Sequence, residues 1–328
     1  METKLHRNIG MELVRATEAS AMMAGQWIGR GNVKKADHAA SQAMLDVFDG
    51  MQINGKIVFD KPTYEDESNL FAGKSVGTGE GPQVDVLAAP IDGTTQLARG
   101  IPGVIAAAAI TPRGSIWQPP HIGYMDKIIV DAEVAPYLVE ECMDAPPAWT
   151  LSLIARAKGV KVSNLSVFVL DRPRHADLIA EIRATGAHVI LRADGDVVGA
   201  LMACMPNRDD IDILMGIGGI QEGLLGACVA KSLGGSMLGR LVPQSTDEIK
   251  TINNSGYDPK MIFSADDFIK SEQVFFAATG ITNGPIGRGI RYYSEKAMTN
   301  SLILRCETRT HRAIQAEHLV EKWIEFNT

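Results

Sequence analysis

The sequence contains no run of about 18 consecutive apolar residues, so a membrane-spanning helix is not expected. Its opening twenty residues, METKLHRNIGMELVRATEAS, carry no apolar core of the kind a secretory leader needs. Lysine and arginine total 32 against 39 acidic residues, giving a net charge of −7, and no basic run occurs. That balance argues against a broad nucleic-acid surface and leaves room only for a small, local anion site. Cysteine is scarce: Cys142, Cys204, Cys228 and Cys306 stand far apart with no CxxC pair. A disulfide framework and a zinc site are both excluded by that spacing, a reduced, cytoplasmic setting is expected, and any metal would have to be held by carboxylates. Internal repeats and low-complexity tracts are also missing.

What is present is an ordinary folding composition, 45% hydrophobic and 22% charged over 328 residues, enough chain for two lobes with substantial cores. Helical periodicity predicts helices over 9–28 and 35–48, the first closed by Gly29-Arg30-Gly31 and the second carrying Asp37 in its first turn. After the Asn54-Gly55 turn, strands are predicted at 56–59, 84–88, 104–110 and 127–130. Asp144-Ala145-Pro146-Pro147 reads as a surface joint, dividing the chain into an α+β lobe over 1–147 and an α/β lobe over 148–328. The second half alternates: strands at 166–170, 188–191 and 211–216, helices at 174–185, 197–204 and 222–233. Late strands follow at 274–278 and 301–306, with a final helix over 313–326. Such alternation predicts a layered α/β architecture.

The segments that can carry chemistry fall at predicted strand ends, where α/β proteins gather reactive groups. Val84-Asp85-Val86-Leu87-Ala88-Ala89-Pro90 runs into Ile91-Asp92-Gly93-Thr94, placing a carboxylate and a hydroxyl at a sharp turn; an ordinary Asp-Gly turn is the alternative. Gly218-Gly219-Ile220-Gln221-Glu222 links a strand to a helix start, a geometry suited to a phosphate or, with Glu222, to a cation, or simply to a dipole-matched connection. Asp194-Gly195-Asp196 offers paired carboxylates for sugar hydroxyls, although Asp196 would serve equally as a helix cap. Arg172-Pro173-Arg174-His175 puts two guanidiniums at a strand-to-helix junction, a good phosphate geometry, with a solvated pair as the alternative and His175 read as structural. Ala278-Thr279-Gly280-Ile281-Thr282 is compatible with substrate approach. Together these segments suggest a pocket for a phosphorylated polyol.

RATEASAMMAGQWIGRG, PIDGT, YMDKIIV, RPRHADLIAEI, DGDVVGALMACMP, GIGGIQEG, AATGIT and RTHRAIQ occur in this order over residues 8–320. In that combination the chain resembles the class II (GlpX-type) fructose-1,6-bisphosphatases. The resemblance implies the layered fold of the lithium-sensitive sugar phosphatases, two sheets flanked by helices, and a homo-oligomer, dimer or tetramer. It also implies Mg²⁺- or Mn²⁺-dependent hydrolysis of the 1-phosphate, the metals polarising the phosphoryl group and activating water while a threonine hydroxyl, here Thr94, helps orient it. Substrate contact falls on Asp92, Gly93, Thr94, Tyr124, Arg172, Pro173, Arg174, Asp194, Gly195, Asp196 and Gly219, with Arg172 standing where lysine is common. Metal ligation falls on Asp37, Asp92 (a shorter carboxylate in place of glutamate) and Glu222.

Two positions depart from the family pattern. Lys61, in the loop Asp60–Ser68, stands where a liganding glutamate belongs, and Ala89 replaces the leading aspartate of the Asp-Pro-Ile-Glu-Gly-Thr element. The site is thereby less anionic by about 3 charges at neutral pH. The expectation is weakened metal binding, with the Lys61 ammonium standing near Asp37 and Glu222 in place of an ion, unless Asp60, Glu65 or Asp66 supplies a ligand. Three outcomes follow: a phosphatase slowed or shifted in substrate, an enzyme using Lys61 as base or Schiff-base amine, or a sugar-phosphate binder without turnover.

Overall fold

The computed structural model describes residues 4–59, 69–118, 122–205 and 211–321. Lys61 and its loop lie outside the described residues. Elements occur in the order α1 (Ile9–Gly25), α2 (Val33–Gly50), β1 (Asn54–Ile57), β2 (Ser75–Val76), β3 (Gln83–Asp92), α3 (Thr94–Arg99) and β4 (Ile105–Pro112). They continue with β5 (Tyr124–Val130), α4 (Pro147–Ala157), β6 (Ser166–Leu170), α5 (Ala176–Ala184), β7 (His188–Arg192), α6 (Asp196–Cys204), β8 (Ile213–Gly219) and α7 (Ile220–Leu233). The chain then forms β9 (Ser236–Leu241), α8 (Thr246–Asn254), β10 (Ile262–Ser264), α9 (Ala265–Phe268), β11 (Phe275–Gly280), β12 (Arg291–Tyr293), β13 (Lys296–Arg305) and β14 (Thr310–Leu319). Two compact units result, Met1–Ile116 with Ser271–Thr328, and Trp117–Lys270. The Asp144–Pro147 segment lies inside the second of these, where Pro147 opens α4.

The first unit is built on a mixed sheet in the order β12-β13-β11-β4-β3-β1-β2, with β14 paired to β13. Its central strands are rows of small residues: Ala88 and Ala89 of β3 oppose Ala108 and Ala107 of β4, which in turn oppose Ala277 and Ala278 of β11. Small side chains let α1 lie close to this sheet, and its buried face, including Leu13, Val14 and Ala16, packs there with Phe275 and Ile303. Asn32 starts α2 by accepting the Lys35 amide at 3.0 Å, two residues before the predicted start, so Asp37 falls beyond the first turn.

The second unit carries a six-stranded mixed sheet in the order β10-β9-β5-β8-β6-β7. β6 runs parallel to β7 and β8, whereas β5 is antiparallel to β8 and β9. One face of β5 and β8 packs α7: Met125 and Ile129 lie against Gly223 and Gly226, where the helix has no side chain. Residues Ile128, Val130, Leu151, Ile154, Val167, Ile179 and Ile182 make the core with α4 and α5. Two mixed sheets flanked by helices are the architecture that the resemblance implies, and they fit the layered α/β class that the alternation predicts.

The final helix predicted over 313–326 is corrected for its described part. Residues 310–319 form β14, paired along its length with β13 in a hairpin that turns through Arg309 at φ 45°. Ala313, Gln315, Ala316 and Glu317 favour helix as isolated residues, but a ten-residue ladder with β13 overrides that local preference. Gly280 ends β11, and Thr279 is buried, bonded to Thr17 and Ser301 at 2.8 Å each, so AATGIT contributes to the core of the first unit. Phe48 is fully buried in that core. Phe48→Ala is expected to cost about 3–5 kcal/mol of stability, read as a lower urea midpoint with an unchanged slope.

Candidate functional site

The strand directions of the second unit decide where its polar residues gather. Because β6, β7 and β8 are parallel, their carboxyl ends lie at one edge of the sheet, and antiparallel β5 begins there, with Tyr124 opposite Gly219. Four chain segments therefore converge: Tyr124, Arg172 to His175, Asp194 to Asp196, and Gly218 to Glu222. These are the second unit's share of the residues to which the resemblance assigns the sugar phosphate and metal.

The turn after β6 is one turn of 3-10 helix, Pro173–His175. It aims Arg174 back over the sheet, where Nε and Nη2 donate to the Ile217 carbonyl at 3.2 and 2.8 Å and the guanidinium lies 5.2 Å from the Tyr124 ring centre. His175 is buried, its Nδ1–H donating to the Leu170 carbonyl at 2.7 Å while Nε2 accepts the Ile217 amide at 2.8 Å. Both nitrogens are thus used by backbone, the structural role that the sequence suggests for it. Arg172 bonds Asp194 across the β6 and β7 ends.

Gly195 turns the chain at φ 102°, a left-handed conformation that favours glycine, and is the residue that caps α6. Asp196 is accordingly the first residue of the helix, which corrects the reading of it as a cap. Its Oδ2 meets the Nζ of Lys127 at 2.8 Å, with the two side chains 5% and 1% exposed. Gly218 accommodates that pair, since a Cβ there would stand 1.7 Å from Asp196 Oδ2. Glu222, in the first turn of α7, folds its carboxylate over Gly219, whose Cβ would stand 2.1 Å from Oε2.

In the first unit, β3 ends with a register irregularity between Ala89 and Asp92. Ser20 of α1 holds the irregular stretch by donating to the Pro90 carbonyl at 2.9 Å. Asp92 is buried, Gly93 takes φ 104°, and half-buried Thr94 begins the short α3. Asp37 is half-buried on α2, which packs against β3 and α3.

The expected metal ligands thus divide between the units, Asp37 and Asp92 in the first and Glu222 in the second. Ala89 is buried at 2% exposure and offers no donor. Among the described residues no group of three or more His, Cys, Asp or Glu side chains forms a metal-holding cluster.

Sequence reasoning missed Lys127. A signal was available: in Tyr124-Met125-Asp126-Lys127-Ile128-Ile129-Val130 strand alternation puts Lys127 on the face of buried Met125 and Ile129, which no solvated lysine would occupy. The lysine also acts on its surroundings. Burial holds the His175 imidazole below its ordinary value, the Arg174 and Lys127 charges add to that, and the Leu170 bond and Asp196 oppose it. An unfolded chain therefore takes up a proton near pH 6.5 that the folded one refuses, so stability is complete above that pH and falls as pH drops through it. Urea midpoints should fall between about pH 7.5 and 5.5, and His175→Gln should reduce the fall; an equal fall in both proteins would assign it to another group.

The family model described as bacterial fructose-1,6-bisphosphatase, glpX-encoded, matches residues 7–318. Fructose-1,6-bisphosphatase 1 class 2 of Escherichia coli (strain K12) is 33% identical over 331 residues, covering 97% of each chain. Fructose-1,6-bisphosphatase class 2 of Shigella flexneri matches with the same identity and coverage. The chain belongs to the GlpX-type class II fructose-1,6-bisphosphatase family, a family of phosphatase hydrolases.

Proposed function

We propose that this protein binds fructose 1,6-bisphosphate or a close relative through the strand-end cluster of its second unit, and that its phosphatase chemistry is altered on the metal side. The observation that carries the reading is the convergence of two guanidiniums, two carboxylates and a tyrosine at one sheet edge. Arginine suits phosphate because its planar donors match the oxygens in pairs. Arg174 is anchored through Nε and Nη2, which leaves Nη1 outside those bonds for a ligand. Asp194 and Asp196 supply acceptors for sugar hydroxyls, and Gly219 brings bare backbone close to the ligand. Asp92, Gly93 and Thr94 are the first unit's share of this assignment, Thr94 as the hydroxyl that orients the attacking water.

The reading of altered catalysis rests on Ala89. Its cross-strand neighbour is Ala107, so the ladder puts no carboxylate opposite it in place of the missing one. A binder without turnover is the second reading, favoured by the same alanine. The proposal also includes a homo-oligomer, dimer or tetramer, whose size light scattering reports.

Phosphate release from fructose 1,6-bisphosphate with Mg²⁺ or Mn²⁺ should be compared between the natural chain and the Lys61→Glu/Ala89→Asp double variant. A natural chain slower than the double variant supports altered catalysis, and release by the double variant alone supports the second reading. Release by the natural chain that matches or exceeds the double variant would remove the claim of alteration. Silence from both would overturn the substrate. Arg174→Ala should weaken sugar-phosphate binding about tenfold or more in either case, the magnitude of a lost charged hydrogen bond.

A further inference from the structure

Lys127 stands in the middle of β5 with only 1% of its side chain exposed. Its cross-strand neighbours are Gly216 on β8 and Gly239 on β9. Gly218, two positions along β8, clears space at the head of the lysine, because a Cβ there would lie 2.4 Å from Nζ and 1.7 Å from Asp196 Oδ2. Gly218 thus makes room for the ion pair.

Stability does not explain the lysine. A buried ion pair is commonly no better than well-packed apolar residues of the same volume. Nor does the helix it approaches: α6 begins at Asp196, and the amino end of a helix favours a carboxylate and disfavours an ammonium. Lys127 is placed to hold Asp196.

We propose that Lys127 is a positioning residue that clamps Oδ2 of Asp196 against Gly218, so that Oδ1 and the Gly195 turn are presented to the hydroxyls of a fructose phosphate. The proposal rests on the sugar-phosphate reading above. The clamp fixes one of the two carboxylate oxygens, and rotation of the Asp196 side chain away from the ligand is prevented. Arg172 restrains Asp194 from the other side of the same turn. The phosphate end of the ligand is recognised by the arginines and does not depend on the clamp.

The test is binding of fructose 6-phosphate and of inorganic phosphate by calorimetry, without divalent metal, in the full chain. Lys127→Met, Asp196→Asn and the double variant are compared with the natural protein, each checked for folding by circular dichroism. Lys127→Met is expected to weaken fructose 6-phosphate about tenfold while leaving inorganic phosphate within about twofold, and the double variant to bind no worse than Asp196→Asn alone. Should Lys127→Met leave an unpaired buried charge and fail to fold, the double variant carries neither charge and still reads the coupling. Unchanged sugar affinity in Lys127→Met, or in the double variant if the single one does not fold, overturns the clamp. So do additive losses, or equal losses of sugar and phosphate. Failure of the natural protein to bind either ligand needs no variant to be seen, and it sinks the sugar-phosphate reading together with this one.

Discussion

Parallel pairing of β6 with both β7 and β8 is the constraint on which the second unit depends. Parallel strands cannot be joined by tight hairpins, so each return needs a crossover, and each crossover leaves the sheet at the same edge. Three such exits, after Leu170, Arg192 and Gly219, bring their polar turns together without any contact between the turns having to enforce it. The antiparallel entry of β5 adds Tyr124 to the same edge. Once the turns are neighbours, charge does the rest: Arg172 meets Asp194, Arg174 stacks on Tyr124 and bonds the β8 backbone, and Asp196 meets Lys127.

Buried polar groups are expensive unless they are paired, and both units show how the cost is contained. In the first, Glu18 of α1 is buried yet accepts from Thr299 at 2.9 Å and Ser301 at 3.3 Å, with His318 at 3.9 Å. Thr17 and Thr279 extend the same network by a bond of 2.8 Å. A group of polar residues that reads along the sequence as several separate motifs is thus one internal structure, joining α1 to β11, β13 and β14. In the second unit the burial of Lys127 and Asp196 is tolerated because each supplies the other's counter-charge at 2.8 Å. The four cysteines are buried and none is in a disulfide; Cys306 Sγ donates to a Glu272 carboxylate oxygen at 3.2 Å, and burial pushes the Cys204 thiol far up.

Family membership and the chemistry of a metal site are separate questions. Thirty-three per cent identity across 97% of the chain fixes the family, but a metal site depends on a handful of oxygens, and losing one or two changes its chemistry without disturbing the fold. Ala89 illustrates the point. It continues an alanine ladder with Ala107 and Ala278, so the strand core is well packed there whatever the substitution does to the chemistry.

The amino-acid sequence by itself determined the fold class, most of the helices and strands, and the placement of candidate residues at strand ends. These are properties of periodicity, turn chemistry and ordered motifs, and each is carried by residues close together in the chain. What only the tertiary structure decided involves partners far apart. Strand β14 is a strand because β13 lies beside it, although its own residues favour a helix. Asp196 is a buried, paired carboxylate because Lys127, 69 positions earlier, reaches it through space left by Gly218 on a neighbouring strand. Local sequence encodes preferences of the backbone; which charge neutralises which other is fixed only when the sheet has brought them together.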